Sequence, residues 1–152
     1  MWGGDPCQAR RIRGNRKNYG IYNERPSDPR GMDGRVMEST HSMWDELFEQ
    51  LQRASGLGRL SELQVAEIKP YLVRLGMVQP FDWMSWREPY PSVVDIATID
   101  LRTAVMHVTR ICRAERFSEG EFWYAVTCGV MEALCRRIRE LVDGGRVPKI
   151  VE

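Results

Sequence analysis

After residue 42, apolar side chains recur with the spacing of amphipathic helices, and no segment alternates with the period of a strand. The first apolar stripe predicts a helix from Met43 to Ala54, with Ser42 as its N-cap. The Ser-Gly-Leu-Gly segment at 55–58 is expected to end this helix. The residues expected to face the core are Trp44, Leu47, Phe48 and Leu51.

The second stripe predicts a helix that begins at Ser61 and closes at Gly76. Pro70 lies inside this pattern, and proline cannot donate the helical hydrogen bond. We therefore expect a kink, or two short helices that meet near Lys69. The expected core positions are Val65, Ile68, Leu72 and Leu75.

Two further stripes follow in the second half of the chain. Asp100 is expected to cap a helix that reaches Glu115. A long helix is then expected from Ser118 to Val142, because Ser118 and Glu121 have the spacing of a capping box. The Asp-Gly-Gly sequence at 143–145 is a stop signal. The expected core positions are Leu101, Val105, Val108 and Ile111 or Cys112 in the first helix, and Phe122, Val126, Val130, Ala133, Leu134, Ile138 and Leu141 in the second.

The connector at residues 77–91 is rich in aromatic residues, and residues 92–99 are expected to form a short helix or turn. Asp82 is suited to cap a short turn. That turn would bring the connector's aromatic side chains to the core. A stacking platform for bases or sugars is the alternative. The side chains concerned are Phe81, Trp83 and Trp86.

These patterns together predict an all-α protein with a single small domain of four to five helices at residues 42–143. Residues 1–41 are expected to form a flexible basic tail and residues 144–152 a C-terminal tail. The basic tail has two interpretations. It resembles RNA-contacting arms, in which Arg contacts phosphate and Tyr stacks on bases. In the second interpretation, the tail is upstream sequence that is translated without having a role, since Met32 and Met37 are both possible start codons.

The net charge of +1 conceals an uneven distribution. Residues 1–36 hold eight of the 22 basic side chains and four of the 21 acidic ones, which leaves 14 and 17 in residues 37–152. This acidic balance does not support a strong general affinity of the domain for nucleic acid. No apolar run approaches the ~18–20 residues of a membrane span, so we expect no membrane association. The four cysteines lack C-x-x-C spacing, and three of them lie in helical, mostly apolar stretches, which predicts buried free thiols in a reducing compartment and a cytoplasmic location.

Catalytic and metal-binding patterns are not evident. The residues that could ligate zinc lack the short spacing of zinc modules. The Thr-Cys-Gly sequence at 127–129 lies within a predicted helix and offers no strained nucleophile turn, and no glycine-rich phosphate loop is present. We therefore predict no metal, no cofactor and no enzymatic activity. The potential ligands are His107, Cys112, Cys128 and Cys135.

Three arginines, Arg110, Arg113 and Arg116, fall roughly on one side of a predicted helix where it meets the next one. In a structural interpretation, Arg113 or Arg116 pairs with a nearby acid, namely Glu119, Glu121 or Asp82. In a functional interpretation, this corner binds a partner protein, because Arg and Trp often anchor interfaces. Trp123 lies opposite part of the apolar stripe of the next helix and is expected to be exposed. The proposed patch consists of Arg113, Arg116, Glu119, Trp123 and Arg137.

Nucleic-acid binding is the alternative, since two helices joined by a short glycine-containing turn resemble a helix-turn-helix. Glu119 and Glu121 would stand at the leading end of the recognition helix and oppose phosphates. The basic residues Arg136, Arg137 and Arg139 lie at its far end, where they also suit the helix macrodipole.

Several short motifs follow one another over roughly residues 65–142. They are Phe81-Asp-Trp-x-x-Trp86, Asp100-Leu-x-Thr103, Arg113-x-x-Arg-Phe-x-Glu-Gly120, Gly129 and Leu134-Cys-Arg-Arg137. This pattern resembles a small bacterial all-helical domain family of unknown function, found in short stand-alone proteins. The resemblance implies a helical bacterial or phage protein and no particular activity.

We therefore predict a non-enzymatic, cytoplasmic helical interaction protein that binds a partner protein. A phage or mobile-element adaptor or antagonist of host machinery fits this prediction. Nucleic-acid binding through the helical corner and the basic tail remains the alternative, and the oligomeric state is left open.

Overall fold

The computed structural model describes residues 32–56 and 62–150, which form a single small all-α domain. In this part of the chain there are helices and no strands, which confirms the predicted fold class. The six helices are α1 (Met32–Gly56), α2 (Glu62–Arg74), α3 (Val93–Ile96), α4 (Leu101–Ala114), α5 (Glu121–Thr127) and α6 (Val130–Leu141).

α1 begins at Met32 and not at Met43, so residues 32–41 are helical rather than part of a flexible tail. Ser42 lies inside α1 and donates its hydroxyl to Glu46 Oε1 at 3.1 Å, instead of capping the helix. Apolar residues are sparse before Ser42, so periodicity did not indicate the first turns. The rest of the predicted tail, residues 1–31, lies outside the described residues.

α2 continues through Pro70 as one helix rather than two. Pro70 is exposed, on the side of α2 away from the core, while Ile68 and Leu72 are buried. Pro70 has no N–H to donate to the carbonyl one turn earlier in the helix. Because this side of α2 faces solvent, that carbonyl can bond to water instead.

The core lies between α1, α2, α4, α5 and α6, with α4 packed mainly on α6 and α1 on α2. The Trp44 indole reaches across this core and donates its N–H to Gly145 O at 3.0 Å. The predicted stripes of α1 and α4 are largely confirmed. The completely buried members are Trp44, Leu47, Val105, Val108 and Ile111, with Leu51 almost so.

The single long helix predicted from Ser118 to Val142 is wrong, because the chain forms α5 and α6 with a break at Cys128 and Gly129. Gly129 has φ of +82° and precedes the first residue of α6. A Cβ at Gly129 would meet nothing within 4 Å, so the glycine is needed for its backbone conformation and not for close packing. Of the core positions predicted here, Phe122, Val126, Val130, Leu134 and Ile138 are buried and Ala133 is partly buried, whereas Leu141 is exposed.

The C-terminal segment packs on the domain up to Ile150, contrary to the predicted tail at 144–152. Val147 is buried and donates its N–H to Leu75 O at 2.9 Å. The Gln79 side chain donates to Pro148 O at 2.7 Å and accepts from Ile150 N at 3.0 Å. A distant buried glutamine therefore holds the segment, a link that local periodicity does not reveal.

The aromatic connector is anchored on α4 by Thr109, which accepts from Gln79 N at 3.0 Å and donates to Met77 O at 3.1 Å. Its aromatic side chains Phe81, Trp83 and Trp86 are half-buried. Two N-caps begin the helices that follow. Ser92 and Asp95 form a capping box at α3, and Asp100 Oδ1 accepts from Thr103 N at 2.7 Å at α4.

Candidate functional site

The corner between α4 and α5 is organised by Glu115, immediately after α4. Its carboxylate accepts hydrogen bonds from Gly120 N at 3.2 Å and Phe122 N at 2.7 Å. The N-terminus of α5 is thus capped from the preceding helix, and the predicted Ser118–Glu121 capping box is wrong, since the N-cap is Gly120 without a side-chain cap. Gly120 has φ of +93°, which lets the chain reverse there.

Three large aromatic side chains are exposed on this corner and define what we call the corner patch. Phe117, in the turn, is 76% exposed, and its ring lies 5.9 Å from that of Trp83. Tyr124 is 58% and Trp123 36% exposed on the outer face of α5. The expected exposure of Trp123 is therefore observed, while sequence reasoning missed the more exposed Phe117 and Tyr124. In the sequence, Phe117 and Tyr124 stand out only as aromatic residues outside the predicted apolar stripes.

Arg113 and Arg116 line an open pocket of about 250 Å³ beside the corner. Among the described residues, neither arginine has a carboxylate within 4 Å. The predicted pairing with Glu119, Glu121 or Asp82 is therefore wrong. We call this site the cationic pocket, and its lining residues are Lys69, Val73, Val78, Cys112, Arg113 and Arg116.

The acids expected as partners are placed elsewhere. Asp82 accepts from the Ser85 hydroxyl at 2.5 Å, and this hydrogen bond holds the pKa of the Asp82 carboxyl below its usual range. Glu121 lines a groove on the connector side of the corner, and Glu119 is exposed. Lys69, which sequence reasoning did not connect with the arginines, lies with its Nζ 5.1 Å from the centre of the Phe122 ring.

Arg137 is not in the cationic pocket with Arg113 and Arg116. It lines a different groove between α3 and α6, donates from Nε to Ile99 O at 3.1 Å, and lies 3.7 Å from Glu140 Oε2. Of the five residues predicted as one patch, Arg113 and Arg116 share a pocket, Trp123 and Glu119 are exposed at the same corner, and Arg137 belongs to another surface.

Arg110, the first of the three arginines, faces the connector. Its guanidinium lies 5.0 Å from the Trp86 ring and 5.2 Å from the Tyr90 ring, and Nη1 donates to Glu88 O at 2.7 Å. Arg110 thus braces the connector through cation–π contacts. The adjoining groove of about 410 Å³ is lined by Trp83, Met84, Trp86, Arg87, Tyr90, Arg110, Ala114 and Glu121.

The ionisable groups near this groove are shifted toward their neutral forms. Burial, followed by the charge of Arg110, lowers the pKa of His107 to about 4, so the imidazole is neutral at physiological pH. Its ring lies 4.6 Å from that of Trp86. Burial, followed by the Glu121 charge, raises the pKa of Tyr90.

The potential metal ligands and nucleophiles are dispersed. In residues 32–56 and 62–150, no three His, Cys, Asp or Glu side chains come together in a way that could hold a metal ion. Cys135 is buried, and burial raises the pKa of its thiol and brings that of Cys112 to about 12. The prediction that the thiols are buried is wrong for Cys128, which is exposed at the break between α5 and α6.

The stretch of chain that carries this corner is the stretch shared with a known family. Within the described part of the chain, no helix is both long and apolar enough to cross a membrane. No curated protein and no solved structure matches the chain. The profile of DUF6508, a family of unknown function, matches residues 40–144, which include α2 to α6 and most of α1. The chain therefore belongs to the DUF6508 family.

Proposed function

We propose that this protein is a non-enzymatic interaction domain that binds another protein through the corner patch. The observation that carries the proposal is the exposure of Phe117, Trp123 and Tyr124 on one corner of the domain. The other aromatic side chains of the described residues are buried or half-buried, except Tyr90 at 36% exposed. Exposed aromatic side chains lose water-accessible apolar surface when a partner covers them, and exposed apolar surface of this kind is typical of interaction sites.

The neighbouring cations strengthen this proposal. Aromatic residues and Arg are enriched in protein interfaces and carry most of the binding free energy. Arg113 and Arg116 stand beside the corner patch without a carboxylate partner in the described part of the chain. They are thus available to a second protein.

Nucleic-acid binding is a second candidate, favoured by the same combination of exposed aromatics and free cations, which also suits single-stranded nucleic acid. A helix-turn-helix mode is disfavoured because α5 has only seven residues and Glu121 is in its first turn. An acid there repels the phosphates that such a helix approaches.

We propose that this interaction takes place in the cytoplasm. We also propose that the protein is a phage or mobile-element adaptor or antagonist of host machinery. The three cysteines in the described region, Cys112, Cys128 and Cys135, are free thiols. Free thiols persist in reducing compartments, which supports that location.

The test is affinity capture from the native host with Phe117→Ala and Trp123→Ala variants. Truncating an interface anchor typically weakens binding by 2 kcal/mol or more, so each variant is expected to reduce captured partner by about tenfold or more. Circular dichroism checks that each variant remains folded, since neither side chain is in the core.

The matched control is Val94→Ala on α3, because Val94 is an apolar side chain that is 82% exposed. It is expected to retain full capture. A partner that is captured equally by the wild type, the control and both corner variants would refute this site. Loss of capture on nuclease treatment would favour the second candidate instead.

A further inference from the structure

The cationic pocket is distinct from the corner patch, and its lining side chains carry only positive charge. Lys69, Arg113 and Arg116 contribute three positive charges, and no acid is among its lining residues. Glu115 lies near the pocket, since its charge acts on the Cys112 thiol, as do the charges of Lys69 and Arg113. Its carboxylate accepts hydrogen bonds from two backbone N–H groups of the corner. Like charges that share a site repel, so an anion that enters the pocket relieves this repulsion.

The arginines also have unused hydrogen-bonding capacity. In the part of the chain that the structure describes, the Arg113 Nε is buried without a hydrogen-bond partner. No hydrogen bond from the Arg116 guanidinium to another described group is present either. A guanidinium fork matches the two oxygens of a carboxylate, which accept from it in parallel.

The rest of the pocket is apolar. Val73 is exposed at its edge, Val78 is half-buried, and the Cys112 thiol remains protonated because burial raises its pKa to about 12. An occupant therefore needs carboxylates for the cations and an aliphatic group for the valines. This combination is available in a peptide segment that contains both Glu or Asp and a residue such as Leu.

Size and charge favour a peptide segment over other anions. Sites for drug-sized ligands have volumes of roughly 300–1,000 Å³. The pocket, at about 250 Å³, suits a few side chains of a docked segment. The surrounding domain is acidic, with 17 acids and 14 basic residues in 37–152, which disfavours a long polyanion. The chain's own residues 1–36 are net basic and would be repelled.

We propose that the cationic pocket binds the carboxylate side chains of an acidic, leucine-containing segment of the partner protein. This inference rests on the proposed function, because the pocket lies beside the corner patch and would extend the same interface. The corner patch supplies apolar contact, and the cationic pocket selects a partner whose adjoining segment is acidic.

The test measures fluorescence anisotropy of a labelled Glu-rich peptide containing one Leu, with the full-length protein. A peptide with Gln in place of every Glu and a labelled oligo-dT serve as comparison probes. The variant is Lys69→Gln/Arg116→Gln, which spares the partly buried Arg113. The control Arg53→Gln/Arg136→Gln removes two exposed cations that pair with acids within their own helices.

The expected result is saturable binding of the Glu peptide that weakens as salt rises and by at least about fivefold in the Lys69/Arg116 variant. The control variant and the Gln peptide separate this effect from net charge and from apolar contact. Equal binding by both double variants, no binding of the Glu peptide at low salt, or binding of oligo-dT alone would overturn the inference. None of these results would change the outcome of the capture experiment with Phe117→Ala. The proposed function is therefore tested separately from this inference.

Discussion

At the scale of single residues, the corner depends on Glu115. Its carboxylate accepts from the N–H groups of Gly120, the N-cap of α5, and Phe122, the second residue of that helix. One carboxylate therefore joins the two helices and fixes the turn that displays Phe117. The negative charge also lies at the positive end of the α5 macrodipole. The exposed aromatics are thus held in place by a group that does not belong to the binding surface.

Glu115→Ala is expected to lower the free energy of unfolding by about 1–2 kcal/mol, because two backbone donors lose their acceptor. Glu119→Ala removes the same charge from the same turn and is expected to change stability by less than ~0.5 kcal/mol. Urea denaturation followed by circular dichroism measures both. Equal losses of unfolding free energy in the two variants would show that the charge of Glu115, and not its capping hydrogen bonds, stabilises the corner.

At the scale of elements, the break at Cys128 and Gly129 divides the predicted long helix into α5 and α6. Gly129 adopts a positive φ that other residues except Asn and Asp rarely take. Because a Cβ there would meet nothing, the effect of a substitution reports the backbone conformation alone. Trp123 and Tyr124 stand on a short separate helix as a result.

Gly129→Ala is therefore expected to lower the free energy of unfolding by about 1 kcal/mol, from the strain of a left-handed conformation at a residue with a Cβ. Gly129→Asn should lose less, since Asn tolerates this conformation. The comparison is made by thermal and urea unfolding of the two variants. An increase in stability and helicity in Gly129→Ala would instead indicate that one continuous helix is accessible to this chain.

At the scale of the whole molecule, the segment after α6 contacts α1 and the residues that follow α2. The Trp44 indole of α1 bonds to Gly145 O, and the C-terminal segment pairs with Leu75 and Gln79 near the end of α2. Gly76 permits this approach, because a Cβ there would lie 2.7 Å from Val147 O. The segment after α6 therefore completes the core instead of trailing from it.

Truncation after Arg146 is expected to lower the free energy of unfolding by about 3 kcal/mol. It exposes the surface that Val147 covers and leaves the buried Gln79 side chain without two partners. Lys149→Ala, an exposed position in the same segment, is expected to be neutral within ~0.5 kcal/mol. Denaturant midpoints measure both, and a truncated chain as stable as the full one would contradict the packing role.

Much of this fold was accessible from sequence because helices are encoded locally. The stripes of α1 and α4, the Asp100 cap and the end of α6 at the Asp-Gly-Gly segment depend on residues three or four positions apart. The exposure of Trp123 was accessible for the same reason, since it lies outside the apolar stripe. The charged members of the site were less accessible, because which acid an arginine meets depends on residues distant in the chain.

The sequence by itself determined the helical class and most helix positions, because periodicity and capping are short-range properties. Tertiary structure decided the rest. It split the three arginines between the connector and the cationic pocket, added Lys69 from α2, and directed Glu115 to the backbone of α5. These outcomes depend on contacts between separate elements and on positive φ angles at particular glycines, which local patterns do not encode.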